Sequence, residues 1–448
     1  MNTSLSVSLN NAVNKIISNN IPNLYRLKVT LSSISDSKNV VELMYIENLH
    51  IFQDFINSYA DRIELTFEVP PEHYLTIMDM SQNLKCNIVM YNIDREHPDL
   101  QLTSVIAKLE YRAVIKDKSD LLKKYSYGAL IKTDNNVGFE QQYSTRIPMS
   151  LQLLDQRVYE MRKVKLNYIG RATNMLENLY FLADNFNADS VYIVTPDNTK
   201  TYTNLILPPM LGITNVFNYL QNDEGKGVYN KGISYYYTNG VLYIYPPYEM
   251  NPSSPNMVNI YKVQENMFIG LDSYHKIEKA RVGNDIHILS NTASVDKNLI
   301  DEGLENDGTA YYLQKAHVLV DAWRNIVEKP GGRRYSVNEN VDLVSFNTDK
   351  GMISNAFQPN FYLSPENNFT YLSNIAKNNR VAINLGWIHA IPFTFKPGWK
   401  LIYNYDENAN YVTKTGVCDG VVYTFSKVGR LTEQIYACNA NMAISVAI

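Results

Sequence analysis

Cysteine is scarce in this 448-residue chain, and the three present, Cys86, Cys418 and Cys438, show neither CxxC nor zinc-site spacing. An odd count without such spacing predicts reduced thiols filling small core positions in a chain folded in cytoplasm, and excludes a disulfide framework. Positive charge is not in excess either: 41 Lys and Arg face 45 Asp and Glu, a formal net charge of -4 with a pI near 6.0. Without a global basic field to hold a phosphate backbone, no specific nucleic-acid binding is expected. No apolar run approaches the roughly 20 residues that cross a bilayer, and the opening MNTSLSVSLNNAVNKIIS lacks the apolar core of a signal peptide. A chain neither anchored in a membrane nor exported by a signal peptide is expected.

Catalytic signatures are missing as well. No GxxxxGK[ST], GxGxxG, HExxH or GxSxG occurs. The Gly-bearing stretches GKG at 225–227 and PGGRR at 330–334 lack the spacing that surrounds a phosphate, and read as exposed turns. His50, His73, His97, His275, His287, His317 and His389 are scattered singly, and DREHPD at 94–99, around His97, reads as a solvated turn between strands. Acids fall on the polar side of alternating strands, as Glu64 and Glu68 do, or at loop tips such as Asp301, Glu302 and Asp307. A pair of acids brought together only by the fold, as in glycoside hydrolases, stays open as an alternative. Arg333, Arg334 and Tyr335 form one basic tip on an acidic chain, weak support for a nucleic-acid or acidic partner. No catalytic, cofactor-binding or metal-ligating residue is assigned.

What is abundant is tyrosine, 34 residues, whose apolar ring and hydroxyl tip suit half-wet strands and subunit contacts. The length allows about three domains. Tyr25, Leu27, Val29 and Leu31 alternate with polar residues, as do Ile63, Leu65, Phe67 and Val69, and then Leu109, Tyr111, Ala113 and Ile115. Period two predicts strands with one buried face. PPEHYLTIMDMSQNL between two of them predicts a helix with apolar Leu75, Met78 and Leu84. Periodicity fails over 127–147, where Gly128, Asn135, Asn136 and Gly138 mark a linker.

Beyond it, SLQLLDQRVYEMRKVKL and ATNMLENLYFLADNF predict helices, the second with Leu176, Leu179, Tyr180, Ala183 and Phe186 on one stripe. SVYIVT predicts a strand. NPSSPN opens a region in which SYHKIEKARVG and NDIHILS read as strands, and GLENDG and EKPGGRRY as exposed loops. In the last eighty residues Val421, Tyr423 and Phe425 alternate with Val422, Thr424 and Ser426, and KVGR predicts a tight hairpin turn. The chain thus reads as α+β and predominantly β: an arm at 1–23, a β-barrel at 24–147, an α+β insertion at 148–250, a β-rich region with long loops at 251–375, and the closing part of a second barrel at 376–448. Tyr235, Tyr236, Tyr237, Tyr243, Tyr245 and Tyr248 divide between core packing and an interface, stacking on sugar rings or bases being the alternative use of their faces.

One segment has a specific order of parts: Leu207-Pro208-Pro209, then Gly212-Ile213-Thr214-Asn215, a helix ending in Tyr219-Leu220, a Gly227-Val228-Tyr229 turn, a tyrosine strand, and Leu242-Tyr243-Ile244-Tyr245. Near the other end, Lys396-Pro397-Gly398 leads into a strand, followed by Val421-Val422-Tyr423-Thr424-Phe425-Ser426 and a hairpin. Together these resemble the central and closing segments of bacteriophage tail baseplate hub proteins, over about a third of the chain. The resemblance implies two tail-tube-like β-barrels separated by α+β insertions, and a homotrimeric ring that adapts the sixfold tail tube to a threefold central spike. Baseplate wedge and tape-measure proteins follow as further partners, with a lumen that passes DNA, a virion location after assembly in host cytoplasm, and no enzymatic activity or cofactor. A tail-associated peptidoglycan or polysaccharide hydrolase and a sugar-binding tail module are the alternatives. Residues 251–375 have no counterpart in the resemblance.

Overall fold

Strands whose alternate residues are apolar must roll their apolar faces together or leave them wet, and here they roll into a closed barrel. Its N-terminal strands are β1 (Leu24–Ser33), with a four-residue neighbour β2 (Val40–Leu43), then β3 (Tyr45–Asp54), β4 (Arg62–Val69), β5 (Leu84–Ile93), β6 (Ser104–Ile115) and β7 (Ile147–Asp155). The nine-residue helix α1 (Pro71–Asp79) joins β4 to β5. The structure is a computed structural model, and it describes residues 24–35, 39–93, 104–116, 146–222, 226–249, 258–262, 279–282, 285–290, 293–296, 312–313, 326–329, 333–336, 353–354, 369, 373, 376, 380–407, 410–428 and 434–447. Of the linker read at 127–147, residues 127–145 lie outside the described residues and Ile147 already begins β7; the stretches DREHPD, NPSSPN and GLENDG and residues 1–23 also lie outside them.

After β7 the chain builds an α+β insertion. It consists of α2 (Gln156–Met161), β8 (Lys165–Leu166), β9 (Ile169–Asn174), α3 (Met175–Asp184), β10 (Ser190–Ile193), β11 (Thr201–Ile206), β12 (Leu211–Gly212), α4 (Ile213–Gln221), β13 (Ser234–Thr238) and β14 (Val241–Tyr245). Asn174 begins α3 with a complete capping box, its side chain accepting from Glu177 N and Glu177 reaching back to Asn174 N. The following strands are β15 (Val258–Lys262), β16 (Lys279–Val282), β17 (Asp285–Ser290) and β18 (Ala293–Asp296). Two short ribbons come next, β19 (Tyr312–Leu313) with β22 (Ile353–Ser354), and β20 (Ile326–Lys329) with β21 (Arg333–Ser336). The chain closes with β23 (Arg380–Trp387), β24 (Lys400–Glu407), β25 (Asn410–Lys427) and β26 (Ile435–Ala447).

The barrel is closed by strands from both ends of the chain. Its order is β25-β3-β4-β7-β6-β5-β1-β26, and β25 pairs with β26 to complete the ring of eight, every neighbour antiparallel. Its interior is packed solid with Leu27, Val29, Leu65, Phe67, Tyr423 and Phe425, each fully buried.

The hairpin β25–β26 is longer than the barrel needs, and its far half carries a second curled sheet. Residues 420–426 of β25 pair with β3, whereas 410–417 pair with β24. Residues 435–437 of β26 pair with β1, whereas 440–447 pair with β23. On β25 the division falls at a bulge between Cys418 and Gly420. A Cβ on Gly420 would sit 2.7 Å from the Gln53 carbonyl oxygen, so glycine lets β3 come close where the strand changes partners. From β24 the second sheet continues through β15 to β17 by parallel pairs, and from β23 to β18. Only two residues separate β17 from β18, and Ser290 Oγ donates to Gly386 O at 2.8 Å, which draws the two wings together. The two curls therefore share a hairpin but not a pairing scheme, since the barrel is wholly antiparallel.

Several expectations change in the fold. SLQLLDQRV is mainly strand: Met149, Leu151 and Leu153 are buried in β7, and helix begins only at Gln156. Three leucines in SLQLLD fit either period, and pairing with β4 and β6 decides it. In α1 the buried residue is Ile77, while Leu75 is 64% exposed and Leu84 starts β5. In α3 the inward stripe contains Leu182 where spacing predicts Tyr180, because Tyr180 points to solvent. Of the KVGR reversal, Lys427 pairs with Tyr436 and Val428 N donates to Ile435 O at 2.8 Å, while Gly429 and Arg430 lie outside the described residues. Within EKPGGRRY, Glu328 and Lys329 pair with Arg334 and Arg333 as strand.

The three tyrosines of β13 are all core. Tyr235 and Tyr237, with Leu242 and Ile244 of β14, belong to the insertion's core beside Phe186, Val216 and Phe217. Tyr236, Tyr243 and Tyr245 turn the other way and join the barrel's core. The strand pair is thus a wall between two cores, which explains why both of its faces are aromatic. Hydroxyls on the barrel side of that wall fasten it to the turn that follows β3, since Ser234 Oγ and Tyr245 OH both donate to Phe55 O at 2.6 Å.

If the hairpin closes the barrel, a chain ending at Glu407 leaves the edges of β1 and β3 bare. It should lose its cooperative melting transition by circular dichroism, while an unchanged melting temperature would contradict the closure.

Candidate functional site

At the foot of the tyrosine wall, charges distant in sequence converge on a cavity of about 670 Å³. Asp61, Asp155, Asp189, Arg157 and Lys396 line it, together with β6 from Ile106 to Tyr111 and the turn after β13. That turn, Asn239-Gly240, has φ values of 49° and 81°, the two left-handed residues of a tight hairpin that asparagine and glycine tolerate. Gly240 O accepts from Asp189 N at 2.8 Å, fixing Asp189 at the rim.

Asp61 is the most deeply held of the acids. It precedes β4, is 9% exposed, and accepts three hydrogen bonds: from Gln53 Nε2 at 2.9 Å and Tyr236 OH at 2.8 Å on Oδ1, and from Thr238 Oγ1 at 2.7 Å on Oδ2. Burial raises its carboxyl above the ordinary carboxylate range, and the hydrogen bonds from Gln53, Thr238 and Tyr236 offset only part of that. Burial also holds the Lys396 ammonium below its usual value, against the attraction of Asp61. Asp155 ends β7 and caps α2, accepting from Arg157 N at 2.7 Å, with its carboxyl likewise raised by burial. The Arg157 guanidinium meets Asp189 at 2.8 Å and reaches Tyr237 OH at 3.4 Å.

Each acid thus serves the fold. Asp61 ties the barrel to the tyrosine wall, Asp155 starts a helix, and Asp189 pairs with Arg157. Among the described residues, no three His, Cys, Asp or Glu side chains are placed to hold a metal ion. The acids singled out from sequence are not those of the cavity. Glu64 instead lies on the barrel's outer face, where Lys116 at 2.9 Å and Arg62 hold its carboxyl below the usual range despite partial burial. Asp301, Glu302, Asp307 and His97 lie outside the described residues. The three cysteines are buried and outside any disulfide, as their spacing predicts. An aspartate before a helix and an Asn-Gly pair are the local signals that could mark Asp155 and the turn, and no spacing marks Asp61 or Lys396 as partners.

Sugar stacking by the tyrosines of β13 and β14 is excluded by their burial, none of them being more than 7% exposed. A second cavity of about 390 Å³ beside them is lined by Tyr192, Tyr229, Tyr245, Asp197 and Glu249. There Tyr229 OH donates to Val194 O, and Asp197 accepts from Asn230 N at 2.7 Å. A separate feature is an apolar rim on the insertion. Ile169 and Ile206 face each other across β9 and β11 at 51% and 59% exposure, and Met210, 70% exposed, has a φ of 64°. Phe181 stacks on Tyr168 with ring centres 4.1 Å apart.

No family model matches the chain, and no curated protein matches it. Among solved structures, it is similar to a tail protein from Neisseria meningitidis (10% identity, TM-score 0.47, 94% of this chain and 96% of that one covered). A prophage MuSo2 43 kDa tail protein from Shewanella oneidensis gives 8% identity and TM-score 0.46, with 93% and 98% covered. A chain of a Francisella PdpA-VgrG complex gives 11% identity and TM-score 0.42, with 98% of this chain and 61% of that one covered.

Replacing Asp61 separates hydrogen bonding from charge. Asp61→Ala orphans three buried donors and should lower stability by about 3 kcal/mol, whereas Asp61→Asn keeps the acceptor and can receive or donate at Thr238. A carboxyl raised in the folded state stabilises below its unfolded pKa, and that contribution is lost as pH rises through the folded value. Chemical denaturation across pH should therefore show Asp61→Asn gaining on the unmodified chain as pH rises from the acidic range. A constant difference would contradict the burial of an ionisable group there.

Proposed function

We propose that the chain is a structural hub of a phage-type tail baseplate, a homotrimeric ring that adapts a sixfold tail tube to a threefold central spike. The observation that supports this best is the shared hairpin: β25 and β26 fix two curled β units in one chain, so three chains present six. The units are of two kinds, one an all-antiparallel barrel and the other containing parallel pairs, so the ring they build has six β units alternating around a true threefold. The segments that resemble tail hubs are structural in the fold, one supplying α4 and the tyrosine wall, the other the hairpin.

Because the barrel interior is filled with side chains, DNA would pass through a lumen between chains and not through the barrel. The apolar rim at Ile169, Ile206 and Met210 suits contact with a neighbouring chain or a tail protein, since exposed apolar clusters mark interaction surfaces. Tube and spike proteins are the principal partners in this reading, wedge and tape-measure proteins further ones, and the location is the virion tail after assembly in host cytoplasm. The function is mechanical, and the cavity acids hold the barrel and the insertion together.

Native mass measurement of the purified chain at micromolar concentration should give three times the 51.3 kDa of one chain. A strictly monomeric protein would contradict the ring. Clearing of a peptidoglycan or capsule gel, abolished by replacing one cavity acid, would instead favour the hydrolase reading.

A further inference from the structure

The second cavity, of about 390 Å³, differs from the larger one in carrying charge of a single sign. Its acids are Asp197 and Glu249, and among the described residues no Lys, Arg or His lines it. Three tyrosine rings complete the walls. Tyr229 and Tyr245 are closed off at 1% and 2% exposure, while Tyr192, at the mouth, is 39% exposed.

These parts are held in place by the surrounding fold. Asp197 accepts from Asn230 N at 2.7 Å, which fixes its carboxylate. Tyr229 OH donates to Val194 O and Tyr245 OH to Phe55 O, so both hydroxyl protons are engaged. Gly398, with a φ of 71°, packs so close to the Tyr245 ring that a Cβ there would meet Cδ2 at 2.8 Å. Burial, and after it the charge of Asp197, raise the Tyr229 hydroxyl above its ordinary range, as a negative neighbour must. Carboxylate oxygens and ring surface therefore dominate what the cavity offers.

We propose that this cavity is a receptor for an arginine side chain presented by another protein chain. A guanidinium donates several N–H bonds to carboxylates, stacks on an aromatic ring, and sheds water more readily than an ammonium. A hard metal ion would need oxygen ligands on all sides, which ring walls do not supply. The volume lies near the lower end of the roughly 300–1,000 Å³ typical of small-ligand sites, suited to one side chain. Free arginine fits less well, because its α-carboxylate would meet two acids and no cation. Thr195 and Asp197 are exposed beside Tyr192, so a side chain enters from solvent.

The probe is N-acetyl-L-arginine methylamide, an arginine side chain without backbone charges, titrated into the full chain and followed by saturation-transfer NMR. It should bind saturably, and more tightly than the matching lysine compound or free arginine. Tyr192→Ala and Glu249→Gln, both at partly exposed positions, should each weaken binding roughly tenfold. Tyr180→Ala, at a 54% exposed tyrosine of α3 outside the cavity, should leave it unchanged. Melting temperatures close to that of the unmodified chain establish that the variants fold. Absence of saturable binding, or equal weakening by Tyr180→Ala, would overturn the site. Free arginine binding as tightly as the blocked compound would overturn its assignment to a protein-borne side chain.

Discussion

The hairpin of β25 and β26 is the constraint on which the remaining architecture depends. Antiparallel pairing lets two long strands hold each other along their whole length, and each then has one free edge to offer. Because β25 changes partner at Gly420 and β26 between Ala437 and Ala440, the same two strands close the barrel with β3 and β1 and carry the second curl with β24 and β23. Residues more than 380 apart in sequence become neighbours, as when Tyr436 OH donates to Ile46 O at 2.9 Å. Contacts of such sequence separation form late in folding and commit both ends of the chain together.

The tyrosine wall is the second joint, and it explains the polar cluster beneath it. Burying aromatic rings on both faces of β13 and β14 places their hydroxyls at the seam of two cores, where each needs an acceptor. Asp61 and Phe55 O serve as those acceptors on the barrel side, and Thr214 O accepts from Tyr235 on the insertion side. The cavity acids thus follow from the joint, and Lys396, from the loop before β24, balances their charge from the far end of the chain.

Much of the fold is legible where one face of an element is wet. The alternation of Leu27, Val29 and Leu31, and of Ile63, Leu65 and Phe67, marks both strand type and inward face, and the helix of α4 follows from its own spacing. Pairing is not legible, because period two names a face and no partner, so the last strands read as a barrel of their own and not as the closure of the first. SLQLLD misleads for a related reason, its leucines fitting helix and strand alike until neighbours are supplied. The cavity is hidden because Asp61, Asp155, Asp189, Arg157 and Lys396 come from separate elements and carry no spacing. Consecutive tyrosines in β13 suggest a division between core and interface, and in the fold their alternation serves two cores at once.

Equilibrium urea unfolding, followed by hydrogen exchange of β1 and β5 in the barrel and of β15 and β24 in the second sheet, reports the two curls separately. A shared hairpin predicts one coincident transition for both probes. Two transitions at different urea concentrations would contradict the account, because each curl would then stand without the other.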